Sequence, residues 1–325
     1  MGPDAPAVPG PADVADRPAT IGRPPTIDLV LLCVAVLAVS TSAPLIRGAD
    51  APSLSVAMWR TVLALPVLGI VVGVRSRGRA ELRALDRSTR RRSALAGVFL
   101  ALHFATWVPS LSLTSVASAT ALVATQPVWA ALIARWRGEH VPRKAWGGIA
   151  VAMAGAVLLS GVDLSISADA LLGDLMATVG GALAAAYVTV GADVRRTVST
   201  GVYSLVCYAV AAAALLVVCL VGRQPLSGYE GSTWLVLLAL TIGPQLLGHT
   251  VLNRVLRTTS ATVVSVSILF EVVGAAILAW LAFDEVPPLS ALPAGVLIGL
   301  GVVLVVRAGA YDPAVAEVAT APPVE

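Results

Sequence analysis

Long apolar runs separated by short polar ones set the pattern of this chain. The apolar runs fall at about 26–46, 53–74, 93–112, 115–134, 145–161, 170–191, 200–222, 232–253, 260–282 and 289–307. A helix needs about 20 such residues to cross a bilayer. In lipid every backbone polar group must find its partner inside the protein, so only helices and closed barrels can span. Barrel strands alternate over about 10 residues, and these runs are longer and uniformly apolar. The pattern therefore predicts an all-α integral membrane protein with ten transmembrane helices.

Composition agrees. The 325 residues are 57% hydrophobic and 13% charged, with mean hydropathy +0.87, against about 25% charged in soluble domains. So little charge cannot cover a water-facing surface, and the surrounding lipid bilayer is the first expected partner. The segments 1–25 and 311–325 are rich in Pro and Ala and lack an apolar core; both read as disordered cytoplasmic tails. The long polar leader argues against a cleaved signal peptide, although Ser42-Ala43-Pro44 weakly resembles a cleavage region, so the first span is expected to be retained. Cys33, Cys207 and Cys219 all fall inside apolar runs. They read as small packing residues, and neither a disulfide framework nor a zinc site is expected.

Net charge is only +3, but its distribution along the chain is informative. Cytoplasmic loops carry the excess of Lys and Arg. With the N-terminus inside, the cytoplasmic segments hold nineteen of the 22 basic residues, eight of them in 75–92. The outer loops hold only Arg47 and Arg223, and Arg60 lies within a span. Ten spans with both termini cytoplasmic fit this asymmetry. The run 75–92 reads as a topological anchor, and no nucleic-acid partner is expected. Arg-dominated basic usage with abundant Ala, Val and Gly suggests a bacterium with a GC-rich genome, and hence its plasma membrane.

The chain also repeats. TSVASATALVATQPVWAALIARW (114–136) aligns with TSATVVSVSILFEVVGAAILAWL (259–281) at an offset of 145, placing Gln126 opposite Glu271. At 146, GEHVP (138–142) meets DEVPP (284–288), Gly155 meets Gly301, and His103 meets His249. Two halves of five spans follow, 26–161 and 170–307. Five is odd, so the second half enters from the opposite side. Such inverted repeats are a plan of secondary transporters, with the binding site near the midplane.

The run HFATWVPSLSLTSVASATALVATQPVWAALIARWRGEHVPRKAWGGIAVAMAGAVLLSG (103–161) resembles the EamA repeat of the drug/metabolite transporter superfamily. GDLMATVGGALAAAYVTVGADVRR (173–196) is similar to that family's sixth span and FEVVGAAILAWLAFDEVPP (270–288) to its ninth. Arg60, in MWRTVLALP, matches a basic residue common in the second span. The usual Glu-Pro of span nine is Glu271-Val272 here, which removes the ordinary reason for a kink. The resemblance implies a ten-helix exporter of small metabolites, amino acids or toxic compounds, without naming a substrate.

An ionisable group inside a span costs about 2.5–3.5 kcal/mol on insertion scales and usually faces a cavity or a partner. Glu271 is the first candidate, as proton carrier or counter-charge to a cationic solute; a structural hydrogen bond is the alternative. Gln126, its counterpart, cannot titrate. Arg60 either snorkels beside Trp59, holds an anion, or pairs with Glu271. Thr241, Gln245, His249 and Asn253 recur at a spacing of four, which predicts a polar stripe facing the bundle interior, with Pro244 bending the helix there. His103 and Trp107 share a face of span three, and Tyr187 and Thr178 are weaker candidates. Asp174 reads as an acid at a helix N-terminus, and Glu139 and Glu285, in equivalent loops, as residues that cap or pair with loop partners. The pairs Gly69/Gly73 and Gly295/Gly299 predict close helix contacts, with spans five and ten as supports or homodimer contacts.

These residues favour a secondary transporter of a small-molecule solute, with protons as a candidate coupling ion. No cofactor and no metal are expected, and no enzyme activity. A membrane scaffold or sensor is the alternative. An intramembrane lipid-modifying enzyme is another, with His103, His249 and Glu271 as its only reachable set.

Overall fold

The computed structural model describes residues 26–114, 116–160, 167–283 and 290–308. The predicted tails, the loop containing Glu285, and Ser115 lie outside the described residues. What is described is helical, with no strand. Among the described residues six helical stretches are long and apolar enough to cross a membrane: Thr26–Arg47, Ser53–Val74, Arg87–Leu113, Ala168–Arg195, Thr200–Val221 and Gly231–Val255. Ala261–Ala275 and Leu292–Arg307 are shorter apolar helices.

Local chemistry explains where the helices break. Thr26–Ser40 gives way to Ser42–Arg47 at Thr41; Ser40 and Thr41 turn their hydroxyls back onto the carbonyls of Val36 and Ala38, and Pro44 follows. Ser53–Val62 ends at Leu63, where Ala64–Val74 starts. Pro66 has no N–H to offer the preceding turn, and its ring crowds the Val62 carbonyl. Outside the membrane segments, Asp86 starts Arg87–Leu113 by accepting from the amides of Ser88 and Thr89. The Thr89 hydroxyl, then the Thr89 amide, hold its carboxyl below the ordinary carboxylate range. The predicted loop 75–92 is thus a short helix, Ser76–Ala84, followed by the start of the next long one.

Two apolar cores form. The larger gathers residues from 32–72, 96–108 and 187–264. The smaller joins Ile149, Ala152 and Ala156 to Ala294, Ile298 and Val305, with Val263, Val266 and Leu269 alongside. In it, Arg143–Ser160 and Ala291–Arg307 touch backbone to backbone: a Cβ on Gly148 would lie 2.9 Å from the Gly301 carbonyl oxygen. These glycines, with Gly155, carry the tight contact. The expected pairs do not. Among the described residues nothing lies within 4 Å of a Cβ built on Gly69 or Gly73, and Gly295 and Gly299 make only ordinary contacts. Spacing alone cannot say which face of a helix meets a neighbour. Cys33 is exposed, and Cys207 and Cys219 are buried and free.

Candidate functional site

Two further breaks place the site. Val116–Val123 stops before Ala124 and Thr125, and Gln126–Trp136 begins there, with Pro127 in its first turn. Ala261–Ile268 stops at Leu269, and Phe270–Phe283 begins there. The two restarts are 144 residues apart, within a residue of the sequence repeat. Proline explains the first. The second occurs without one, although Glu271-Val272 lacks the proline that ordinarily gives a reason for a kink. Here Ser267 bonds back to the Val263 carbonyl, 2.8 Å away, which loosens the turn. Both new helices present unpaired N–H groups and the positive end of their dipole. Glu271 occupies the first turn of one; Gln126 opens the other and donates to Ser265 Oγ at 2.9 Å.

A cavity with about 710 Å³ of atom-free space, its opening included, lies against both restarts. Its wall carries Glu271, Gln126, His103, Trp107, Tyr187, His249 and Asn253, together with Ser42, Thr120 and aliphatic side chains. Among the described residues the Glu271 carboxylate has no hydrogen bond or ion pair. His103 is held by its Nδ1 at 2.9 Å from the Gly180 carbonyl. Its ring stacks on Trp107, with centroids 5.7 Å apart and planes 4° from parallel. Trp107 Nε1 is buried without a partner, as is His249 Nδ1. His249 meets the edges of Phe104 and Tyr187 at 5.4 and 6.2 Å. Aromatic faces, two unsatisfied ring nitrogens and an unpaired carboxylate therefore converge on one apolar-walled space.

Asn253 anchors a buried network. Its Oδ1 accepts from the Tyr187 hydroxyl at 2.6 Å, and its Nδ2 donates to Ser204 Oγ at 3.2 Å. Its carbonyl accepts from Arg195 Nε at 2.8 Å. Arg195 also donates to Thr200 Oγ1 at 2.7 Å, tying Ala168–Arg195, Thr200–Val221 and Val251–Val255 together.

Two predicted residues stand behind the wall. Arg60 and Gln245 are fully buried and do not line the cavity. Arg60 Nε donates to Gln245 Oε1 at 3.1 Å and Nη1 to Ser42 Oγ at 3.0 Å. Its guanidinium carbon stands 4.5 Å from the centre of the Phe104 ring. Arg60 therefore does not snorkel. Trp59 beside it donates instead to the Leu226 carbonyl at 2.9 Å. Asp174 is also placed otherwise than expected: the helix starts at Ala168 with Ser167 as its cap, leaving Asp174 two turns in.

The polar stripe of span eight survives by a different geometry. Thr241–Thr250 is a π-helix around Pro244, its bonds reaching one residue further than an α-helix's. Four residues overshoot one α-turn by about 40° but fall short of the wider π-turn. The drift from Thr241 to His249 therefore reverses, and the α-turn of Val251–Val255 partly restores it at Asn253. The Gln245 carbonyl accepts from the hydroxyls of Tyr208 and Thr250 at 3.3 and 3.2 Å. Thr241 bonds back to Leu237 at 2.7 Å.

Sequence reasoning missed Ser42, Phe104, Thr120 and Arg195. Arg195 ends the helix Ala168–Arg195 beside Arg196, and in the sequence such a pair reads only as a topology signal. The others carry no signal that separates them from their apolar or hydroxylic neighbours. Glu139 pairs with Arg137 at 3.3 Å, as a loop role predicts.

Among solved structures, 29 chains match this one. One, titled only "Crystal structure of protein", aligns with a TM-score of 0.69 at 23% identity, covering 86% of this chain and 96% of its own. That likeness shows the fold. No curated protein matches. The EamA-like transporter family matches residues 26–161 and again residues 171–307. A duplicated match over most of an apolar helical chain makes this a multi-pass membrane protein with a transporter's architecture, and the chain belongs to the EamA-like transporter family.

Proposed function

We propose that the chain is a secondary carrier that exports a small organic solute across a bacterial plasma membrane by alternating access. The single observation behind this reading is the cavity at the two helix restarts, where each repeat contributes an equivalent half-helix and Glu271 stands unpaired. In this reading the chain has ten spans in two inverted five-helix halves, 26–161 and 170–307, with both tails cytoplasmic. The solute occupies the central cavity, and rocking of the halves exposes it to either side. Glu271 is the exchange site for a proton or for the cationic end of the solute. Gln126, His103, Trp107, Tyr187, His249 and Asn253 contact the solute or its water, and Arg60 and Gln245 support the wall.

Proteoliposomes loaded with a mixed metabolite extract, placed under a pH gradient and followed by mass spectrometry, test this. Selective release of unchanged compounds, lost in Glu271→Gln, is the expected result. Release that is the same in Glu271→Gln would remove Glu271 from the mechanism. No release with or without the gradient would overturn export of any compound in the extract, and chemically altered compounds would replace the carrier with an enzyme.

A further inference from the structure

Arg60 is a buried cation that no ion pair answers. It is 0% exposed, and among the described residues no carboxylate forms an ion pair with it. Ser42, Gln245 and the Phe104 ring hold the guanidinium from three separate helices, and none of them carries charge. Among the described residues Nη2 has no hydrogen-bond partner. A guanidinium does not shed its charge by losing a proton in proteins, and an unpaired buried charge is strongly destabilising. Some other charge must compensate it.

Glu271 is the carboxylate among the described residues that line the cavity beside this cluster. Ser42 connects the two sides, since its hydroxyl accepts from Arg60 and its side chain lines the cavity that Glu271 faces. Gly274, just beyond Glu271, approaches Ser40 so closely that a methyl group would collide. That contact pins the Glu271 helix against the segment carrying Ser42. The other titratable groups on the cavity wall are His103, Tyr187 and His249. The helices packed on Phe270–Phe283 add the Cys33 thiol and, near their ends, Asp28, Arg47, Arg143, Lys144 and Arg307.

We propose that Arg60 is the standing counter-charge of Glu271 and a positioning residue for the helices that hold it. While Glu271 is ionised, its field balances the guanidinium and keeps Ser42, Phe104 and Gln245 gathered around it. When the carboxylate takes a proton from hydronium in the cavity, leaving water, Arg60 loses that balance. Its hold on Ser42–Arg47 and on the π segment weakens, so the state of Glu271 is transmitted to the packing of two helices. This rests on the reading of Glu271 as the exchange site.

A double-mutant cycle on thermal unfolding tests it without any solute. Arg60→Gln and Glu271→Gln each strand one charge, and the double variant removes both. At about pH 9 the midpoint of the double variant is expected to exceed the additive value by at least about 3 °C. The excess vanishes at about pH 3, where even a carboxylate of ordinary affinity has bound its proton. Arg60→Lys keeps the coupling. Additive losses at both pH values overturn the proposal. If Arg60→Gln does not fold, Gln245→Glu carries the cycle, because its carboxylate would stand about 3.1 Å from Arg60 Nε and supply the missing charge. Glu271→Gln then lowers the midpoint less in that background than in wild type, and an equal loss overturns the proposal. Because no transport is measured, a negative result here leaves the carrier reading standing.

Discussion

Gly301→Ala sets the packing of the structure against the glycine spacing of the sequence. A Cβ at Gly301 would lie 2.5 Å from Ala152 Cβ and from the Gly148 carbonyl oxygen, and 2.6 Å from the Ala152 nitrogen. Ordinary contact begins at 3.4 Å, so the two helices must part by 0.9 Å. Two of the three obstructing atoms are backbone, and no rotamer change relieves them. A gap of that size forfeits about a quarter to a half of each dispersion contact along the seam, and overpacking of this kind costs about 1–3 kcal/mol. Alanine returns about 1 kcal/mol in helix propensity. The net centres on about 1 kcal/mol of destabilisation, or a fall of about 2–4 °C in the unfolding midpoint for a domain of about 150–250 residues. Gly69→Ala meets nothing within 4 Å and keeps only the propensity gain of about 0.5–1 kcal/mol, so its midpoint should hold or rise. The assay follows a thiol-reactive dye in detergent at one scan rate, since membrane-protein unfolding is often irreversible. Cys207 and Cys219 are buried and report unfolding; Cys33 is exposed and is first replaced by Ala. An unchanged midpoint for Gly301→Ala, or an equal fall for Gly69→Ala, would refute the argument.

Other substitutions probe the site. Tyr187→Phe strips the donor from Asn253 Oδ1 and leaves it buried and unsatisfied, which costs about 1–3 kcal/mol; the dye assay should show a clear fall, whereas Ser112→Ala, whose bond is exposed, should show none. Trp107→Phe keeps a ring against His103 but removes the buried, unpartnered N–H. Once a transported solute is identified, its half-saturating concentration should rise by up to about tenfold, the value of one hydrogen bond, with folding intact. Asp86→Ala removes the acceptor that starts Arg87–Leu113. The folded carboxyl is held below its ordinary value, so its contribution is present above the carboxylate range and lost as pH falls through the lowered value. Wild type and Asp86→Ala should therefore differ at neutral pH and converge in acid, and a constant difference would contradict the cap.

Apolar periodicity revealed the helical class because lipid forces each crossing to satisfy its own backbone. The repeat of Gln126 and Glu271 was legible because both stand next to helix restarts, where a polar side chain has unpaired N–H groups to answer. Proline marked the first restart; nothing comparable marks Leu269, where serine back-bonding takes proline's place. The spacing of Thr241, Gln245, His249 and Asn253 named the right helix for the wrong geometry. A regular α-helix would have carried the stripe steadily around its axis, while the π segment holds it towards the interior. Gly69/Gly73 failed for a general reason: two small residues permit close approach, but only a facing helix can use it. Gly148 and Gly301 are less conspicuous in sequence and meet backbone on the other side. Arg60 was legible as unusual but not as buried, since a long flexible cation can also reach a headgroup.

The polar groups of the site divide by attachment. Asn253 ties Tyr187, Ser204 and Arg195 together by hydrogen bonds, and Gln245 takes Arg60 Nε. These bonds join helices that are far apart in sequence and give the cavity fixed walls. Among the described residues, Arg60 Nη2, Gln245 Nε2 and Arg195 Nη1 stay unsatisfied behind the wall; on the wall itself the Glu271 carboxylate, Trp107 Nε1 and His249 Nδ1 are also without partners. A fold under selection for packing alone would pair or delete them, because each unpaired buried group is destabilising. Their retention on one surface, beside a half-helix from each repeat, is what a solute or its water would require. The asymmetry between Gln126 and Glu271 then has a consequence. If the halves exchange roles during a transport cycle, only the second brings a carboxylate to its helix restart, so in the proposed mechanism the restart of that half is where a proton or cation would be handled while both halves move.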